Sequence, residues 1–104
     1  MAIAERRITG VVASTGIARL DFRTDNRLPA IVQQVGIEAD NVGGGAVGKI
    51  YKNGALITPF VATGDAPAGE PFIRIGTGDV MRVEWTSATV GARVAATFIY
   101  DDGS

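Results

Sequence analysis

Residues 79–102 constrain the fold of this chain more than any other stretch. They run DVMRVEWTSATVGARVAATFIYDD: an alternating segment, a glycine-containing break over 86–91, then a second alternating segment. Alternation with period two is the pattern of a half-buried strand rather than a helix. In the first segment Met81, Val83 and Trp85 share one face, opposite Val80, Arg82, Glu84 and Thr86. In the second, Ala92, Val94, Ala96, Phe98 and Tyr100 fall together, opposite Arg93, Ala95, Thr97 and Ile99. The pattern predicts two long antiparallel strands joined by a loop. Ribbons that are apolar on one face need a second layer to cover them.

The remaining chain continues in the same period. Residues 6–14 read as a first strand, ended by Ser14-Thr15-Gly16. Residues 17–23 alternate, with Ala18, Leu20 and Phe22 opposite Arg19, Asp21 and Arg23. Asp25, Asn26 and Pro29 mark a loop, and the proline disfavours helix at Leu28. In residues 31–40, Ile31, Val35, Ile37 and Ala39 are placed on one face and Gln34, Glu38 and Asp40 on the other. Gly36 and the β-branched content favour strand there over helix.

Asn53-Gly54 is the strongest hairpin signal, because a type I′ turn needs φ > 0 at both central residues. It predicts that Tyr51-Lys52 and Ala55-Leu56 pair, between strands over 46–52 and 55–61. A loop follows over 62–71, then a short strand over 72–75, and Gly76-Thr77-Gly78 turns the chain into the final pair. Only 1–5 and 101–104 read as loose tails. The sum is a single all-β domain over residues 1–104. It is an antiparallel β-sandwich of seven or eight strands, jelly-roll-like or Ig-like, with the strand order open.

Two absences restrict the chemistry. The chain has no Cys, hence no disulfide framework, thiolate metal site or cysteine nucleophile. It has no His, which removes the commonest general base and the commonest transition-metal ligand. Ten basic residues against eleven acidic ones leave no basic excess of the kind nucleic-acid binding requires. The longest charge-free run, 53–64, is far too short to cross a bilayer and contains a proline. The start MAIAERR lacks the apolar segment of a signal peptide, so a soluble product of the cytoplasm is expected.

Several motifs invite a functional reading. Residues 43–49, GGGAVGK, satisfy G-x-G-x-x-G, and they satisfy a P-loop up to Ile50, where Ser or Thr is required for magnesium. Both motifs aim a helix N-terminus at phosphate, whereas a strand and hairpin follow here, so a glycine turn is the better reading. The acidic residues are scattered without calcium-loop spacing and suit turns and rims; Asp65 and Asp79 are the residual candidates for calcium. Ser14, Thr86 and Ser87 have no His to activate them, and Lys49 and Lys52, the two lysines, flank a turn. No catalytic residue, cofactor or metal ligand is assigned. Trp85, the single Trp, suits core or subunit interface better than a sugar-stacking platform, and Arg6-Arg7 suits a solvated strand start.

From about Ala18 to Asp101 the order of features resembles a group of small virion proteins of tailed phages of actinobacteria, minor tail or head-decoration proteins. The residues that carry it are Ile50-Tyr51-Lys52-Asn53-Gly54, similar to a V-Y-x-N/D-G hairpin; the loop from Gly64-Asp65 to Pro71; and Gly78-Asp79-Val80 leading into Glu84-Trp85-Thr86. Ala88-Thr89-Val90-Gly91-Ala92 then resembles the end of a W-T-G-A-x-x-G-A segment, with Ser87 where that pattern has Gly. The resemblance implies a non-enzymatic structural role in a virion, after synthesis in the host cytoplasm. The implied partners are further copies of the chain and a phage tail or major capsid protein.

A neutral sandwich with open edges suits repetitive packing, and closed cyclic symmetry is the usual outcome; a homotrimer is expected. Gln33, Gln34 and the segment 56–61, with Leu56 and Phe60, are the expected contact surfaces. The competing expectation is a carbohydrate-binding module, in which Trp85 or Tyr51 stacks on a host-surface glycan.

Overall fold

The computed structural model describes residues 3–23, 30–60, 66–67, 73–76 and 78–101. The loops expected over 25–29 and most of 62–71 lie outside them, as do Asp65 and Phe72. The described residues form strands β1 (Ile3–Val11), β2 (Ala18–Phe22), β3 (Ala30–Asp40), β4 (Val47–Lys52), β5 (Ala55–Phe60), β6 (Ala66–Pro67), β7 (Ile73–Ile75), β8 (Met81–Thr86) and β9 (Arg93–Asp101). They make two antiparallel sheets packed as a sandwich. Sheet A has the order β1-β9-β3-β6, with β7 also on β3, and sheet B the order β2-β8-β4-β5. β6 pairs with Gly36 and Ile37 and β7 with 30–32, so these two short strands share one edge and the nine segments fill eight positions.

This order is that of a jelly roll rather than an immunoglobulin sandwich. The chain switches sheets at nearly every connection, and among the described residues β4–β5, around Asn53-Gly54, is the one hydrogen-bonded pair of consecutive strands. The turn has the expected φ values, 51° and 85°. The expected pairing also holds, Lys52 opposite Ala55 and Tyr51 opposite Leu56, before a bulge near Ile50.

β8 and β9, expected as neighbours, are not hydrogen-bonded to each other. β8 lies between β2 and β4 in sheet B, and β9 lies between β1 and β3 in sheet A. Their apolar faces therefore cover one another, and the second layer each requires is the other strand's sheet. Met81, Val83 and Trp85 are fully buried from one side, and Val94, Ala96 and Phe98 from the other. Phe22 of β2 stacks on Phe98 with ring centroids 4.6 Å apart, and Tyr100 leans on the Phe22 ring at 5.0 Å. Such contacts add about 0.5–1.5 kcal/mol each beyond the area they bury. Arg6 closes this end of the core, its guanidinium 5.6 Å from the Phe22 ring centre and its Nη1 donating to the Arg23 carbonyl at 2.9 Å.

Three further expectations are corrected. The sequence pattern groups Ile31 with Val35, Ile37 and Ala39, but a bulge between Val32 and Gln34 shifts the alternation, so Val32 is buried and Ile31 exposed. The stretch 1–5 is not wholly loose: Ile3, Ala4 and Glu5 pair with Asp101, Tyr100 and Ile99. The loop over 62–71 contains β6, where Pro67 occupies the sheet edge, the position in a sheet that tolerates a missing N–H.

At one end of the sandwich three connections are tied by their backbones. Val12 N–H donates to the Ala92 carbonyl, Gly91 N–H to that of Val12, Ala88 N–H to that of Gly16 and Thr89 N–H to that of Val42, all at 2.9–3.0 Å. Ser87 enters this junction with φ of 53°, a left-handed conformation that glycine adopts without penalty and other residues at a cost of about 1–2 kcal/mol. Glycine at this position would relieve that cost. S87G is expected to raise the unfolding free energy by about 0.5–1 kcal/mol, since part of the gain is offset by glycine's unfolded-state entropy. S87V is expected to lower it, and the denaturant midpoints of the two variants check both signs.

Candidate functional site

The outward residues of sheet B form a charged lattice whose rows follow from strand register. Arg19 lies opposite Glu84, which lies opposite Lys49; Asp21 lies opposite Arg82, which lies opposite Tyr51. Arg19 Nε donates to Glu84 Oε2 at 2.7 Å. Arg82 grips Asp21 through two bonds, Nε to Oδ1 at 2.7 Å and Nη2 to Oδ2 at 3.2 Å. After solvent screening such cross-strand pairs contribute about 0.2–1 kcal/mol each, and their larger effect is to hold the side chains in one orientation.

The hairpin tip is fastened to the loop preceding β8. Asn53 N–H donates to the Val80 carbonyl at 2.9 Å, and Val80 N–H returns a bond to Asn53 Oδ1 at 3.0 Å. Asn53 Nδ2 donates to Asp79 Oδ1 at 3.0 Å, while Asp79 Oδ2 accepts from Gly76 N–H at 2.9 Å. Asp79, considered for calcium, is thus the cap of this turn, with Lys52 Nζ 4.0 Å away. Beside this clamp an open groove of about 430 Å³ is lined by Arg23, Tyr51, Asn53, Val80, Arg82 and Glu84, with Gly54 at its lip.

The outer face of sheet A is different in kind. Arg7 reaches diagonally across β9 to Glu38, Nη2 to Oε2 at 2.8 Å, over the buried methyl of Ala95. Ile3 and Ile31 flank Asp101 in one register row, and Ile99 lies between Glu5 and Gln34 in the next. Ile3 is 55% exposed and Ile31 36%, so this end of the sheet presents an apolar patch interrupted by Asp101.

The residues singled out from sequence are therefore dispersed. Trp85 is 0% exposed, opposite Ala18 and Gly48 on its ladder, and is neither a stacking platform nor a contact surface. Tyr51 and Leu56 face outward together on sheet B, Leu56 being 55% exposed. Gln33 and Gln34 are half-buried at the bulge of β3 in sheet A, on the opposite side of the molecule. Phe60 pairs with Gly48 through its backbone, and its side chain lies outside the described part. The glycine run 43–49 turns the chain into β4, with no helix after it. Sequence reading missed Arg23 and Arg82, whose roles depend on register. The available signal was the complementarity of Arg19-Leu20-Asp21 with Arg82-Val83-Glu84 when the two are written antiparallel.

Among the described residues, three carboxyls are held below the usual carboxylate range. The cause at Asp21 is the hydrogen bond from Arg82, at Glu38 that from Arg7, and at Asp79 that from Asn53 followed by Gly76 N–H. A carboxyl whose folded pKa is depressed stabilises the fold above its unfolded pKa, about 3.9–4.3, and loses that contribution as pH falls through the folded value. The urea midpoint is therefore expected to be flat from about pH 7 to 5 and to fall below about pH 4. D21N is expected to lower the midpoint at neutral pH and to reduce its acid dependence. A variant with an unchanged acid slope would remove Asp21 from this account.

Compared with protein-family models, curated proteins and solved structures, the chain finds no significant match in any of the three.

Proposed function

We propose that this chain is a non-enzymatic structural protein of a tailed-phage virion. On this reading it is made in the host cytoplasm and sits on the tail or capsid surface, where it binds its own copies and a tail or shell protein. The observation that carries the reading is the jelly-roll strand order, an architecture used by viral shell domains, and this step is an analogy of fold. Two features of the surface support it. The apolar patch of Ile3, Ile31 and Ile99 on sheet A is the kind of surface that association covers, with Gln34 beside it to supply hydrogen bonds. The carboxyls with depressed pKa are accounted for by cross-strand pairs and a turn cap, which is how structural ion pairs perturb titration.

The competing reading, a module for host-surface glycan, loses Trp85 to the core and keeps Tyr51, which lines the groove on sheet B. The two readings use opposite faces of the molecule and are compatible.

Light scattering of the purified protein across about a hundredfold dilution tests the assembly. A mass that stays at a small multiple of the chain, a trimer for the symmetry favoured here, is expected. I31K is expected to shift that mass toward the monomer while leaving the fold intact, since Ile31 is on the outer face. A monomer at every concentration would contradict the assembly reading.

A further inference from the structure

The groove beside the hairpin tip on sheet B has a composition that assembly does not explain. Its walls are set before any ligand arrives. Asn53 is tied to Asp79 and Val80, Arg82 to Asp21 by two bonds, and Glu84 to Arg19 at 2.7 Å with its side chain 14% exposed. Binding there would not have to order these side chains, which removes a main cost of recognition. Tyr51 stands in the same groove, directly opposite Arg82 on the ladder.

The charge of this face is not balanced. The pairs Arg19–Glu84 and Arg82–Asp21 cancel, leaving Lys49 of β4 and Arg23, the residue after β2, in excess on this face. Arg23 lines the groove and is near enough to Asp21 for its charge to help hold that carboxyl below the usual range. Arg82 spends only its Nε and one Nη2 bond on Asp21, so further N–H groups remain to donate. An aromatic ring, fixed amide and carboxylate groups, and spare guanidinium donors fit one ligand type. A pyranose ring would lie against the aromatic face, its hydroxyls would meet Asn53 and Glu84, and an anionic substituent would meet Arg23 and Arg82. A long polyanion fits less well, because the chain as a whole carries a net charge of −1.

We propose that this groove binds an anionic saccharide, a pyranose bearing a carboxylate or a phosphate. The proposal rests on the glycan reading of Tyr51 and is independent of the assembly reading. Isothermal titration with five probes tests it: an oligogalacturonate, a hexose phosphate, a neutral maltooligosaccharide, a single-stranded oligonucleotide and inorganic phosphate. At least one of the first two is expected to bind about tenfold or more tighter than the neutral sugar, and which one does so identifies the anionic group. Added salt is expected to weaken that binding. Y51A is expected to weaken both charged and neutral sugars, and R23Q to remove the difference between them, with circular dichroism unchanged in each. Equal affinity for neutral and charged sugars would overturn the proposal while leaving the glycan reading standing. Absence of binding by every saccharide at millimolar concentration, or an unaffected Y51A, would overturn both. Tighter binding of the oligonucleotide, or equal binding of inorganic phosphate alone, would overturn the saccharide assignment.

Discussion

Each sheet of this protein is continuously apolar on one side only, and the rest of the structure depends on the contact between those two sides. The contact is centred on β8 and β9, the strands whose inward residues are Met81, Val83 and Trp85 in one sheet and Val94, Ala96, Phe98 and Tyr100 in the other. Phe22 joins them by stacking on Phe98, so a residue of sheet B is held by the central strand of sheet A. Removing a ring from such a position costs about 3–5 kcal/mol, a large share of what a domain of this size has in total. At Gly10, an added Cβ would lie 2.7 Å from Leu20 Cδ2, which shows how closely the first strand approaches the second.

Once the inward faces are committed to each other, chemistry is left to the outward faces, and the two diverge. Sheet B carries ion pairs that run straight across neighbouring strands and a tyrosine beside a clamped hairpin. Sheet A carries an ion pair that runs diagonally over Ala95 and an apolar patch at one end. The hairpin clamp links these levels. Asn53 adopts the left-handed conformation its turn requires, and its side chain then fixes the loop before β8 through Asp79 and Val80. The same contacts that end the ladder shape the groove next to Tyr51.

Much of this was legible in the sequence because it depends on local pattern. The inward sets of β2, β8 and β9 follow from period two alone, and Asn53-Gly54 specifies both its turn and the pairing beside it. What was not legible depends on contacts distant along the chain. Nothing in residues 79–102 distinguishes two strands that pair from two strands that face each other across a core. The bulge at Gln33 inverts the alternation of β3, so the sequence pattern alone puts Ile31 on the wrong side. Ile3, Ala4 and Glu5 resemble a tail until Ile99, Tyr100 and Asp101 are placed beside them. The site was the least legible part. Arg23, Arg82 and Glu84 become neighbours of Tyr51 only through the register of three strands, while Trp85, the residue most suggestive of sugar binding, is required by the core.

Trp85 is also the most direct probe of the account. It is the only tryptophan, and it sits at the centre of the packing on which both sheets rely. Acrylamide quenching of its fluorescence under native conditions reports whether the two apolar faces are closed. The account predicts a blue-shifted emission that resists quenching until the protein unfolds cooperatively. Free quenching in the native state would mean that β8 does not face β9 across a sealed core, and the jelly roll described here would be contradicted.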